Sequence, residues 1–326
     1  MGGYLLRRLL YAIPILLGVN ILTFSLFFVV NTPDDMARMQ LGVKRVTPEA
    51  IEQWKREREY DRPLLLNTQA EGAARLTDTI FFKHSLSLFS FDFGRSESDG
   101  RDIAHEIRKR MVPSLSVAVP VFVVGLAFYV SFALMLVFFR GTSIDTSGVV
   151  LCVAAMSISG MFYIIGGQYL VGKLWHWTPI SGFGQGPDAW RFLLLPILVA
   201  LVSSLGEDSR LFRSFFLEEI HKDYVRTARA KGLGESRILF HHVLRNALIP
   251  ILTGAVVVIP RLFLGSLILE SFFGIPGLGS YTIDAINSQD FAVVRTMVFL
   301  GSLLYIVGLI LTDLSYTLVD PRVRLQ

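Results

Sequence analysis

One cysteine, Cys152, occurs in 326 residues, so the chain can form no internal disulfide. No CxxC and no Cys/His spacing suited to a metal is present. Charge is sparse. Asp, Glu, Lys and Arg are 18% of the residues, against about 25% in ordinary soluble domains. The composition excludes disordered, collagen, coiled-coil and disulfide-scaffold classes. No GxxxxGK[ST] phosphate loop occurs, so the chain is not expected to hydrolyse ATP itself. HExxH, GxSxG and a strand-borne GxGxxG are missing too. His241 and His242 are adjacent and would face different directions on a helix, which makes a poor metal pair. No catalytic residue, metal or cofactor is expected. The net charge of +4 gives little support for a nucleic-acid partner and suits anionic lipid equally well.

What the chain does have is apolar sequence in blocks. Apolar residues are 52% and mean hydropathy is +0.52. Of 31 Lys and Arg, 14 fall between Asn31 and Pro113. A span needs about 20 apolar residues to cross the hydrocarbon. Six runs qualify or nearly do: Leu9 to Val30, Ser114 to Phe139, Gly148 to Gly172, Phe192 to Gly206, Leu248 to Phe273 and Thr296 to Leu318. The fourth is short and is expected to continue as helix beyond the membrane. Arg261 lies in the fifth run with Glu270 toward its far end, and Asp313 lies in the sixth. The first run is longer than a signal-peptide core and no small-x-small site follows it, so it reads as a retained anchor. The sequence thus predicts an all-α polytopic membrane protein with six transmembrane helices.

Basic residues orient it. Arg7, Arg8, Arg140, eight Lys or Arg from Arg210 to Arg245, Arg322 and Arg324 fall on one side, which places both termini in the cytoplasm. Two regions are expected: 1–112, one span plus an extracytoplasmic segment, and 113–326, a five-helix core with a cytoplasmic loop at 207–247. In the extracytoplasmic segment Thr47 to Arg58 reads as a helix with Thr47 as N-cap and Pro48 in the first turn. Asp102 to Met111 reads as a second, amphipathic helix. Phe81, Phe82, Phe89, Phe91 and Phe93 read either as membrane-surface anchors or as part of a docking surface. In the cytoplasmic loop Glu218 to Ala230 favours helix, Gly232 and Gly234 break it, and Glu235 to Asn246 favours helix again. The loop is therefore two short helices joined by a glycine corner. GFGQG (182–186) reads as a turn rather than a phosphate cradle.

The loop also carries specific text. Asp223 to Leu233 reads DYVRTARAKGL and Arg245 to Pro250 reads RNALIP. Asp92 to Ser96 (DFGRS), Gly100, Arg110 to Leu115 (RMVPSL), Phe273 to Gly279 (FGIPGLG) and Asp320 to Arg322 (DPR) accompany it in order. The chain resembles the membrane permease subunits of bacterial ABC importers for dipeptides, oligopeptides and nickel, most of all the first of their two paired permeases. The loop resembles that family's EAA loop, with Gly232 at the central glycine. Arg226-Thr227-Ala228 stands where the wider superfamily has Glu-Ala-Ala, and the usual glycine ahead of Asp61-Arg62-Pro63 is missing.

The resemblance implies a type I ABC importer permease fold in the bacterial inner membrane. It implies a second permease as partner, two P-loop ATPases beneath, an extracytoplasmic substrate-binding protein and a peptide as cargo. Nickel chelates and oligosaccharides are alternatives. On this reading Asp223, Tyr224, Arg226, Ala228, Arg229, Ala230, Lys231, Gly232 and Leu233 couple to the ATPase. Gly274, Pro276, Gly277 and Gly279 form an outer gate or a contact for the binding protein. Arg261 and Glu270 are candidates for the translocation path, or for a structural ion pair. An intramembrane enzyme would need paired catalytic groups inside spans, and Arg261 and Asp313 are not so spaced. A transporter working alone would show an internal repeat or matching broken helices, and the sequence shows neither.

Overall fold

A computed structural model describes residues 2–28, 31–42, 46–184, 186 and 188–319. The DPR motif at 320–322 and the basic residues Arg322 and Arg324 lie outside them. Among the described residues the regular structure is helical, with one isolated bridge between Arg95 and Asp102. The described residues form two compact units, one from 2–109 with 281–307 and one from 110–280 with 308–319.

The first unit opens with α1 (Gly2–Phe28), which carries Pro14 without ending. Helix α2 (Pro33–Leu41) starts in a capping box: Asp35 N donates to Thr32 Oγ1 and Thr32 N donates to Asp35 Oδ2. Helix α3 (Pro48–Glu57) starts as the sequence predicts, with Ala50 N donating to Thr47 Oγ1. An aromatic core joins α1 to these short helices. Phe24 stacks on Phe28 at 4.7 Å, and Phe81 meets Phe24 edge-on at 5.1 Å. Tyr60 meets Phe28 edge-on at 5.2 Å. Phe81 and Phe89 are thus packed within the unit, Phe89 against Phe299 at 5.3 Å. Phe82 and Phe91 stay exposed.

A polar cluster lies beside that core. Asp290 accepts from Ser96 Oγ, Ser98 N and Ser98 Oγ at 2.5, 3.1 and 2.9 Å, and from Val293 N at the start of the last helix. Tyr60 OH donates to Glu97. Burial, with the Arg295 guanidinium, pushes the nearby His84 imidazole down to about 4. Because the folded value lies below the unfolded one, stability is full above pH 6.5 and is lost as pH falls from there toward 4. Thermal unfolding of the purified protein should show about 3 kcal/mol less stability at pH 4 than at pH 7 from this group. His84→Phe should flatten that part of the profile.

The second unit holds most of the spans. Helix α4 (Ile103–Phe138) joins the predicted amphipathic helix to the second span without interruption, through Pro113 and Pro120. The expected straight span from Gly148 to Gly172 is a broken one. Helix α5 (Ser143–Met156) closes where Ser157 N bonds back to Val153 and Ala154 carbonyls. Ser159 is extended, and α6 (Gly160–Gly167) leaves at 91° to α5, widening to a π-helical stretch through Leu174. Arg213 grips Asp145 of α5 with Nε and Nη2 at 3.1 and 2.8 Å. Cys152 is buried. Helix α7 (Ala189–Ile220) continues past the fourth run as predicted, with Glu207 and Asp208 inside it. Helix α8 (Asp223–Ala230) is the first loop helix. Its start is at Asp223, not Glu218, because residues to Ile220 belong to α7.

Helix α9 (Glu235–Leu262) runs from the glycine corner through the whole fifth span. The span does not reach Phe273. After Leu262 the chain turns, with Gly265 at φ +69, and α10 (Leu267–Phe273) is separate. Helices α11 (Leu278–Asn287) and α12 (Phe291–Val319) complete the described residues. Among the described residues, five helices are long and apolar enough to cross a membrane, or six if the bent α5–α6 pair is one span.

Candidate functional site

Three pieces of chemistry stand in the second unit. The first is the glycine corner. After α8, Gly232 N donates to the Arg229 carbonyl at 2.9 Å and Leu233 N to the Ala228 carbonyl at 3.2 Å. That pair of bonds is the Schellman arrangement, and it needs a left-handed residue between. Gly232 supplies it at φ +76. Gly234 has φ −65 and does not share this requirement. Arg229 holds the far side of the corner, donating to both Glu235 carboxylate oxygens at 2.7 and 3.0 Å. Tyr224 OH donates to Glu219 Oε2 at 2.6 Å, and Lys222 pairs with the same carboxylate.

Burial sorts the predicted coupling residues into two faces. Val225 and Ala228 are buried in one cluster with Ala133, Leu134 and Val137 of α4, Phe212, Phe216 and Ile220 of α7, and Ile238 to Ile251 of α9. Ala228 therefore packs inside this chain and is not a landing spot for another surface. Tyr224 and Leu233 are half-buried. Asp223, Arg226, Arg229, Ala230, Lys231 and Gly232 are exposed.

The second piece is the turn after α10. Glu270 is 1% exposed and holds the turn from inside. Its Oε1 accepts from Ser266 N at 3.1 Å. Its Oε2 accepts from Gly279 N at 2.7 Å and Ser280 N at 3.2 Å. Ser114 of α4 joins them: Leu278 N donates to Ser114 Oγ at 2.8 Å. Such a cradle of donors is what a buried carboxylate requires. It also leaves no room for side chains. A Cβ at Gly265 or Gly277 would strike the Glu270 carboxylate, and one at Gly279 would stand 2.6 Å from the Ser266 carbonyl. Gly274 ends α10 in the left-handed region at φ +63, and Ile275 N caps back to the Glu270 carbonyl at 2.9 Å. Pro276 fixes the chain between these two glycines.

The third piece is a cavity of about 880 Å³. Its wall is mostly apolar, drawn from α4, α6, α7 and α9, with Val117, Val199, Phe212 and Ile251 among the lining residues. Arg261, Glu270 and Ser114 line it near the turn. Asp208, Ser203 and Tyr129 line it elsewhere, and Ser159 and Gly160 bring the α5–α6 break to it. Arg261 is exposed and sits in the last turn of α9. The structure thus brings the two predicted path residues, Arg261 and Glu270, to one cavity. Among the described residues no His, Cys, Asp and Glu side chains assemble into a metal site.

The family model described as binding-protein-dependent transport system inner membrane component matches residues 110–325, and its companion N-terminal model matches residues 1–118. The chain belongs to this family. It is therefore an inner membrane component of a binding-protein-dependent transport system, and the inner membrane is where its spans reside. Relatives in the family match over the full length. A chain named as a peptide transport system permease protein in Brucella abortus (strain 2308) is 32% identical over 99% of both chains. One named as a peptide ABC transporter permease in Sinorhizobium fredii (strain NBRC 101917 / NGR234) is 30% identical over 99% of this chain and 100% of its own length. A glutathione transport system permease of Salmonella paratyphi A (strain ATCC 9150 / SARB42) is 30% identical over 99% of each.

Sequence reasoning missed three residues of this family member's membrane unit. Ser114 was visible inside the RMVPSL stretch, but nothing in the sequence joins it to FGIPGLG, 164 residues away in its bond to Leu278. Gly265 reads as an ordinary glycine near a span end. Asp208 reads as a loop residue until α7 is seen to carry it.

Proposed function

We propose that this chain is the permease subunit of an ATP-binding-cassette importer for peptides, forming half of the translocation path and driven by separate ATPase subunits. The observation that carries the reading is α8. It is seated by Val225 and Ala228 in a core shared with three spans, and it presents Arg226, Arg229 and Lys231 outward. A helix so fixed transmits displacement as a rigid body. Its basic face suits acidic residues on a soluble ATPase. The corner and both termini face the cytoplasm, a second permease supplies the other half of the path, and the binding protein delivers cargo from the opposite side. The turn held by Glu270, with Gly274, Pro276, Gly277 and Gly279, serves as gate or as contact for that protein. The chain has no nucleotide site of its own.

The peptide class rests on the relatives' names. Nickel chelates and oligosaccharides are the alternative cargoes within the same architecture. The broken α5–α6 span favours a second reading, a transporter working alone, because discontinuous helices line the sites of such proteins. Reconstitution separates the two. Vesicles holding this chain by itself should take up no peptide with or without ATP. Vesicles holding the complete importer should take it up only with ATP and binding protein. Uptake by the chain alone would overturn the proposal.

A further inference from the structure

The first turns of α9 carry cations that no carboxylate of the chain answers. Among the described residues Arg213, Lys222, Arg226 and Arg229 pair with Asp145, Glu219, Asp223 and Glu235. Arg237 and Arg245 make no ion pair or hydrogen bond there, and both are exposed, as is His241 between them. In an α-helix a row at every fourth position drifts by about 80° over eight residues. The π-helical stretch Ile238–Val243 has wider turns and takes up that drift, so the three side chains keep to one edge. Phe240, 53% exposed, and the half-buried Leu244 stand beside that edge. Exposed Ile249 and Leu252 continue an apolar strip along the span.

Depth gives the edge its surroundings. Helix α9 has 28 residues, about 42 Å at 1.5 Å per residue. Hydrocarbon takes about 30 Å, and the headgroup layers bring the bilayer to about 40–45 Å. The uncharged run 246–260 begins directly after Arg245. Arg245 thus marks the edge of the hydrocarbon, and His241 and Arg237 step outward from it by about 6 Å each. Long basic side chains extend their reach along the helix. The row therefore lies at the level of phospholipid phosphates. The apolar strip decides between a lipid and a soluble protein as occupant. Acyl chains cover Phe240, Ile249 and Leu252 while phosphates meet the cations, whereas the acidic face of a soluble subunit answers the cations alone.

We infer that Arg237, His241 and Arg245 form a binding edge for the headgroups of anionic phospholipids in the cytoplasmic leaflet. Each guanidinium offers paired donors to a phosphate, and His241 adds a ring N–H between them. The lipid anchors α9 at the point where it leaves the glycine corner. This inference rests on the cytoplasmic placement of that corner proposed above.

The test uses the complete importer in vesicles of phosphatidylcholine with a minor share of phosphatidylglycerol. Photoactivatable analogues of the two lipids are the probes, and labelled peptides are mapped by mass spectrometry. In wild type the ratio of phosphatidylglycerol to phosphatidylcholine labelling over residues 237–248 should exceed the bulk lipid ratio by about tenfold or more. Arg237→Gln and Arg245→Gln should each lower it by about fivefold, the size of one basic group at an anionic surface, and the double variant should bring it near the bulk ratio. Arg237→Lys with Arg245→Lys should keep most of the enrichment, because the charges remain. A wild-type ratio equal to the bulk, or enrichment that survives the double glutamine variant, would overturn the inference. So would loss of the ATPase subunits when that variant is purified, because the edge would then be a protein contact. Placement is read separately. His241→Cys in a Cys152→Ser background should react with a membrane-impermeant maleimide in inverted vesicles and not in intact spheroplasts. Reaction in intact spheroplasts would overturn the cytoplasmic reading itself.

Discussion

Glu270→Ala will lower the stability of the membrane unit by about 4 kcal/mol, seen as a melting temperature of the purified importer reduced by roughly 10 °C. The carboxylate is the common acceptor for Ser266, Gly279 and Ser280 N–H groups. Removing it strands the buried Gly279 and Ser280 N–H groups and frees that of Ser266, and each buried unpaired N–H costs about 1–3 kcal/mol. Water cannot replace it freely where the residue is 1% exposed. Glu270→Gln keeps a carbonyl oxygen but turns an NH2 toward an N–H, so it should cost about 2 kcal/mol. Gly277→Ala should destabilise as well, by driving a methyl group into the same carboxylate. A melting curve for Glu270→Ala that matches wild type would show that the turn is held by something else.

Gly232→Glu will abolish ATP-driven uptake, by tenfold or more on the order-of-magnitude scale of lost interface charge pairs, while the chain still folds and inserts. The corner has space: a Cβ at Gly232 meets nothing within 4 Å. The backbone has strain, since φ is +76, and a non-glycine residue there costs about 1–2 kcal/mol. The acidic side chain then lands among Arg226, Arg229 and Lys231, the exposed basic face of α8. Two controls separate strain from charge. Gly232→Asn, which tolerates the left-handed region, should keep most uptake. Gly234→Ala should be close to neutral, because Gly234 has φ −65 and open space. Normal uptake by Gly232→Glu, with the ATPases still bound, would remove the coupling role from this corner.

The parts legible in the sequence were those governed by local rules. Thr47 with Pro48 announces α3, and the structure begins that helix there. Gly232 announces a corner because only a left-handed residue closes α8. Uncharged runs announce spans because the bilayer admits little else. The parts that were not legible depend on pairing at a distance. The break after Met156 falls at Ser157-Ile158-Ser159-Gly160, inside an uncharged run with no proline, so charge and length alone could not separate one straight span from two short helices. The fifth span was read to Phe273 because Phe263 to Phe273 is mostly apolar with a single charge, whereas Gly265 and the buried Glu270 fold it back. Ala228 looked like a contact point because it is small. Its neighbours on α4, α7 and α9 decide otherwise.

The two faces of α8 divide its freedom to change. The inward pair, Val225 and Ala228, is locked to the same interior as Phe216 and Ile251, so drift there is penalised by the membrane unit itself. The outward positions Asp223, Arg226 and Lys231 meet no such constraint. Under the proposed role, compatibility with one motor protein rather than another is written in a handful of solvent-facing letters. Exchanging those letters between paralogous importers should suffice to redirect which engine a given channel accepts.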